Sequence, residues 1–268
     1  MKIYDCFLFN NENLLLELRL KELDKYVDYF VIVECKFNHQ GNIKGQNIDQ
    51  NILKKYEKKI KYFYIEEEII SKNAWVIESS QRNFIKKGLL NAKKDDLIII
   101  SDLDEIPNLS KVNFNEITEN IIAFKQIHSV YKFNLIRSYN WYGSKICRYK
   151  ILKSPQWLRQ IKVHKRYPLY RLDKYFSKTY YKNFQIIENG GWHFGWIMNL
   201  EDIILKINSY AHTEYNIKKN NNKEFIEKCI NDKIDFIDNK ELKKIKINLL
   251  PSTLQNNISA YERYLFDG

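Results

Sequence analysis

The sequence predicts an α/β fold, in which a mostly parallel sheet is flanked by helices and followed by a helical C-terminal part. Three observations carry this. From Ile3 to Ile100, short apolar runs of strand length alternate with segments of helical period. One of those runs, Leu97 to Ile100, is continuously apolar, as a strand covered on both faces must be. After Gly190 and Gly191 the pattern changes: Leu200, Ile203, Ile204, Ile207 and Ala211 form one helical stripe. With 268 residues the chain can bury a full core as one large domain, or as a domain with an appendage.

The elements follow in order. Ile3 to Phe9 reads as a strand, and Asn10-Asn11 after it as a turn and helix start. Leu14 to Leu23 places Leu16, Leu20 and Leu23 on one helical face. Tyr29 to Val33 and Tyr62 to Ile65 are further strands, Asn73 to Asn91 a helix, and Leu97 to Ile100 the most strand-like run of all. Ala123 to Tyr181 is aromatic and basic with irregular period, which predicts strands joined by long loops. Helices are expected again over Glu224 to Ile237 and after Pro251.

Composition narrows the function. The chain carries a net charge of +11 and 19 Tyr among 15% aromatic residues. That balance favours anionic partners such as nucleotide diphosphates or anionic lipid surfaces, while hydroxyl-bearing rings suit sugars. The lysines are scattered rather than clustered, so nucleic acid is not the expected partner. Four cysteines, Cys6, Cys35, Cys147 and Cys229, show neither metal spacing nor a disulfide framework. No signal peptide or spanning segment is legible, so the expected location is cytoplasmic, or peripheral on the inner membrane face.

Chemistry concentrates at Ser101-Asp102-Leu103-Asp104-Glu105. If the chain stays extended beyond Ile100, Asp102 and Asp104 point the same way. Two convergent carboxylates at a strand end suit a hard divalent ion, Mg²⁺ or Mn²⁺. In a parallel sheet that is also where ligands bind. On the helix before it, Glu78 and Arg82 share the apolar stripe of Trp75, Ile85 and Leu89, with Gln81 alongside. Charges on such a stripe need partners. Glu78 and Arg82, four apart, can pair with each other, and Arg82 or Gln81 can reach the edge of a ligand site.

A second segment, Gly190-Gly191-Trp192-His193, combines glycines that allow close backbone approach with a stacking ring and a potential metal or phosphate ligand. A tight turn with a satisfied core histidine is the plainer reading of the same residues. Asn199 followed by Glu201 and Asp202 reads as a helix cap with an acidic first turn.

Taken together these residues resemble glycosyltransferase family 17, the family of the bisecting β-1,4-N-acetylglucosaminyltransferases. The resemblance runs through Phe9-Asn10-Asn11-Glu12 with Leu16 to Leu20, then Val33-Glu34 with His39-Gln40-Gly41. It continues through Trp75, Glu78, Gln81, Arg82 and Asn83, the Ser101 to Pro107 segment, Gly191 to Phe194 and Leu250-Pro251. It implies a GT-A-type, Rossmann-like fold and an inverting, metal-dependent transfer from a UDP-sugar, with N-acetylglucosamine the expected sugar. Residues 1–198 would form the nucleotide-sugar-binding catalytic domain and 199–268 a helical extension packed on it. Asp104 would contact the metal, Asp102 the metal or ribose, and His193 would be a further metal or diphosphate ligand. Glu34, His39, Gln81 and Arg82, with Gly190 and Gly191, would line the donor pocket. Animal members carry a membrane anchor that the opening residues do not show, which shifts the expected acceptor towards a bacterial or viral surface glycan.

For the base that deprotonates the acceptor, Glu105 is the first choice, unless it orients the loop; Glu188 and Glu201 are alternatives. Asn134, Tyr139, Trp141, Tyr142 and Trp192 are expected to meet the acceptor: a surface polysaccharide, a lipid-linked glycan or a glycoprotein. The competing readings are a metal-dependent phosphoesterase, which wants a denser His and Asp set, and a basic, aromatic nucleic-acid binder, which leaves the acidic cluster unexplained.

Overall fold

Strands β1 (Ile3–Phe9), β2 (Tyr29–Cys35) and β3 (Ile60–Ile65) lie parallel, with β4 (Leu97–Ile100) parallel on the other flank of β1. The computed structural model describes every residue except 39, 72, 118–119, 164–169, 171–176, 178–183, 210–221 and 268. His39 and Ala211 therefore lie outside the described residues. Alternation along β1 shows why the strand runs look uniformly apolar: Ile3, Phe7 and Phe9 enter one core, Tyr4 and Cys6 the other.

The first core lies under helix α1 (Asn13–Leu23), which buries Leu15, Leu16, Leu18, Leu20 and Leu23 against Phe7, Phe30 and Ile32. Each such leucine contributes roughly 1.5–3 kcal/mol. The second lies under Ile85, Leu89, Trp157 and Leu158, packed on Val31, Val33, Ile98 and Ile100. Helix α3 (Ala74–Asn83) is capped by Asn73, whose side chain accepts the Trp75 amide; α2 (Gln50–Lys55) precedes it. The expected long helix ends as α-helix at Asn83 and continues as a 3-10 helix from Phe84 to Leu89, a tightening common at helix C-termini.

The large sheet continues past β4 through antiparallel β9 (Lys145–Arg148) to β6 (Ile121–Phe124) and β10 (Gln185–Ile187). It is mostly parallel, with β9 reversed. A second sheet was not legible in the sequence. It consists of β12 (Lys243–Lys244), β8 (Leu135–Ile136), β7 (Ile127–Val130), β11 (Gly191–Gly195) and β5 (Glu105–Pro107). Among its described residues, the irregular 123–181 stretch thus hides short strands and helix α4 (Pro155–Gln160). Helix α5 (Leu200–Ser209) is capped by the Asn199 carboxamide on the Asp202 amide at 2.8 Å. With α6 (Lys223–Asn231) it packs Ile203, Ile207 and Ile226 on Val130, Tyr131 and Trp196. The expected helix to Ile237 stops at Asn231, where Lys233 takes φ +55°. All four cysteines are buried free thiols. Among the described residues no helix is long and apolar enough to cross a membrane.

This architecture brings the C-terminal ends of β1, β2 and β4 to one edge of the sheet. The second sheet adds β5 and β11 there, so His193 pairs in register with Glu105.

Candidate active site

The chain leaves β4 at Ile100 and turns, so Asp102 and Asp104 are not on an extended segment as expected. The Glu105 amide donates to the Asp102 carbonyl at 3.1 Å, and the two carboxylates reach the same cleft with different partners. The turn is held from behind by Arg19, which is fully buried. Its guanidinium donates to both Asp5 oxygens at 2.8 and 2.6 Å and to Ser101 Oγ at 2.6 Å. It also donates to the carbonyls of Asp102, Leu103 and Glu105 at 3.0, 3.1 and 2.8 Å. Buried carbonyls need donors, and a guanidinium supplies five N–H groups in a fixed fork.

Asp102 faces two arginines. Arg82 donates to one oxygen at 2.7 Å and Arg159 to the other at 2.6 Å. Burial alone would raise its carboxyl pKa, but Arg159 and Arg82 hold it well below the usual carboxylate range. Arg82 also pairs with Glu78 at 2.6 Å, as their spacing predicts. Glu105 is fully buried with both oxygens engaged: one accepts from Trp141 Nε1 at 2.5 Å and Arg159 at 2.9 Å, the other from the Asp102 amide at 3.0 Å. Gly143 lies so close that a Cβ there would meet Glu105 Oε1 at 2.0 Å.

Asp104 stands apart from the arginines. His193 Nε2 is 3.7 Å and Lys206 Nζ 3.4 Å from its oxygens. Burial works to raise this carboxyl, yet Lys206 and His193 pull it below its ordinary value. Lys206 also binds Glu12 at 2.6 Å. The His193 ring stacks on His128 with centroids 4.1 Å apart, and among the described residues its buried Nδ1 meets no hydrogen-bond partner. Burial, then the neighbouring His193 and Arg137, keeps His128 neutral far below the usual imidazole range. Arg137, tied to Asp235 at 2.5 Å, approaches His128 Nε2 at 3.1 Å.

These groups line a cleft of about 360 Å³, walled also by Trp75, Tyr139 and Trp141. Of the residues expected there, it gathers Asp102, Asp104, Glu105, His193, Arg82, Tyr139 and Trp141. Several others lie elsewhere. Glu188 and Glu201 are exposed and paired with Lys125 and Lys223. Substituting each with Gln should therefore change initial rates by no more than about twofold; a loss of more than tenfold would return that glutamate to the chemistry.

Glu34 is buried, holding Lys44, the Asn47 amide and the Tyr62 hydroxyl, so it fastens a loop rather than facing the cleft. Gln81 donates to the Phe37 carbonyl and lines a separate, smaller cavity. The glycines serve packing between strands. Gly191 has φ +124°, and a Cβ there would meet the Ile106 carbonyl at 2.2 Å; Gly190 is equally hemmed in by backbone. Trp192 points to the Leu249 carbonyl on another surface. Asn134 ties down Phe266.

Arg159, Arg137, His128, Lys206 and the Asp5–Arg19 pair were missed. A signal existed for some: Asp5 interrupts an apolar strand, Arg19 sits among leucines, and Lys206 follows Ile203 by three. Arg159 carried none.

Comparison with known proteins gives the site its setting. The profile of Glycosyltransferase family 17 matches residues 1–241. The β-1,4-mannosyl-glycoprotein 4-β-N-acetylglucosaminyltransferases of Rattus norvegicus and Homo sapiens are each 24% identical over 234 residues. The match covers 80% of this chain and 44% of theirs, so the chain spans less than half the length of those relatives. Among solved structures, HddC from Yersinia pseudotuberculosis complexed with GMP-PN overlaps 70% of this chain and 90% of its own. It does so at 10% identity and a TM-score of 0.37, too loose to bear on the site. On the family match, over most of its length, this chain belongs to glycosyltransferase family 17.

Proposed function

We propose that this chain transfers N-acetylglucosamine, with inversion, from a UDP-sugar to a glycan hydroxyl, on a GT-A-type, Rossmann-like scaffold and with Mn²⁺ or Mg²⁺. The observation that carries it is the division of labour in the Asp-Leu-Asp turn. Both oxygens of Asp102 are taken by arginines, whereas Asp104 opens into the cleft beside an imidazole.

The donor set fits a divalent ion. Asp104 and His193 offer one carboxylate and one ring nitrogen, with Nε2 lying 3.7 Å from the carboxylate in the same cleft. The charges argue the same way. Among the described residues, Glu12, Glu78, Asp102, Asp104 and Glu105 give the cleft five carboxylates against the four cations Arg82, Arg137, Arg159 and Lys206. An added diphosphate needs further positive charge there. Among the described residues no three His, Cys, Asp or Glu side chains could hold a metal by themselves, so diphosphate oxygens and water would complete the shell. When bound, the cation would neutralise the departing diphosphate.

The chain's own residues do the rest. Arg159 places fixed positive charge, and Lys206 a charge on a longer, movable stem, where the leaving group gains negative charge. Arg19, Glu105 and Trp141 fix the turn, so little reorganisation is needed during reaction. Trp141 and Tyr139 offer ring faces to a sugar. The expected partners remain a UDP-sugar and a glycan; transfer of N-acetylglucosamine to a glycan is supported by the names of the relatives.

A panel of nucleotide sugars, with and without Mn²⁺, tests this by release of nucleotide diphosphate. UDP-N-acetylglucosamine should give the fastest release, and only with metal. Equal release in chelator, or none from any donor, would overturn the reading.

A further inference from the structure

A second cavity, of about 190 Å³, opens beside the cleft between the turn that precedes α1 and the start of α5. Asn10, Asn11 and Asn199 line it with Met198, Leu205 and Tyr264. Carboxamides both donate and accept, as sugar hydroxyls do, and the apolar side chains suit the face of a sugar ring. The two cavities share Asn10, Glu12 and Lys206. The Glu12–Lys206 ion pair is thus the partition between them.

Glu12 holds the N-cap position of α1, where its side chain makes no cap hydrogen bond; the shorter Asp49, Asn73, Ser154 and Asn222 cap their helices with a side-chain oxygen on an amide of the first turn. The Glu12 carboxylate instead turns to Lys206 at 2.6 Å and is 12% exposed. Lys206 in turn faces Asp104 at 3.4 Å, so Glu12 and Asp104 flank one ammonium. The other cleft carboxylates are worse placed to take a proton. Asp102 and Glu105 have both oxygens engaged, and Glu78 sits beside Arg82 without bordering the second cavity.

Resting on the transferase reading above, we propose that Glu12 is the catalytic base and that this second cavity is the acceptor-sugar subsite. A Glu12 oxygen takes the proton of the acceptor hydroxyl as the hydroxyl oxygen forms its bond to the anomeric carbon. The bond from that carbon to the diphosphate breaks, its electron pair leaves on the nucleotide diphosphate, and the configuration inverts. As negative charge builds on the diphosphate, the Lys206 ammonium follows it and frees the carboxylate; Glu12 then passes its proton to water.

The test measures UDP release from UDP-N-acetylglucosamine, with water or added methyl β-D-mannoside as acceptor, alongside calorimetric UDP binding in Mn²⁺. Glu12→Gln should lower kcat about 10²–10⁴-fold, abolish the acid limb of the pH profile and leave UDP affinity within about threefold. Leu205→Trp, which fills the second cavity, should raise the mannoside KM about tenfold at unchanged UDP affinity. Native-like turnover by Glu12→Gln, equal loss of UDP affinity, or an unmoved mannoside KM in Leu205→Trp would overturn the proposal. Failure of the native protein to bind UDP in Mn²⁺ would instead sink the transferase reading beneath it.

Discussion

Replacing Asp104 with Asn should lower turnover by about a thousandfold, or ~4 kcal/mol of transition-state stabilisation, while the protein melts close to the native temperature. The asymmetry of the turn is the reason. Among the described residues, the Asp104 carboxylate meets Lys206 and His193, and its carbonyl keeps the bond from the Phe194 amide. Its side chain can change without loosening the fold, while the metal role proposed for it would be lost. Asp102→Asn differs. It strips Arg82 and Arg159 of the carboxylate they share, so stability should fall together with rate. Initial rates and thermal melts of the two variants separate these cases. A rate above a tenth of native for Asp104→Asn would remove that side chain from the chemistry.

The second large effect is structural. Arg19→Met should destabilise the protein by about 3–5 kcal/mol, because it leaves the buried Asp5 carboxylate uncompensated. Three loop carbonyls lose their donor in the same stroke. Adding Asp5→Asn should restore part of the stability but not the rate, since the Asp102, Leu103 and Glu105 carbonyls still lack the guanidinium. Urea unfolding and initial rates for the single and double variants check this. If the double variant recovered full turnover, Arg19 would serve Asp5 alone and not the shape of the turn.

The parallel part of the fold was readable because buried parallel strands and leucine-striped helices leave strong periodic patterns, as in Ile3–Phe9, Leu97–Ile100 and the α1 leucines. The second sheet was not, since β8 and β12 are two residues each and no period can show over so short a span. The acidic turn was found because Asp102 and Asp104 follow an apolar strand. Its geometry was misjudged, because the force bending it comes from Arg19, distant in sequence. Likewise the glycines and Trp192 carry composition typical of a binding loop, yet β11 is wedged between β5 and β7, where Gly191 is needed for close strand approach. Arg159 meets Asp102 and Glu105, and Glu12 meets Lys206, through tertiary contacts that no local pattern announces.

The most direct measurement is a calorimetric titration of UDP into the purified protein, once in Mn²⁺ and once in chelator, repeated with Asp104→Asn. Saturable binding that requires the metal and is lost in the variant is the expected result. Tight UDP binding in chelator, or binding unaffected by Asp104→Asn, would contradict a cation held at that turn.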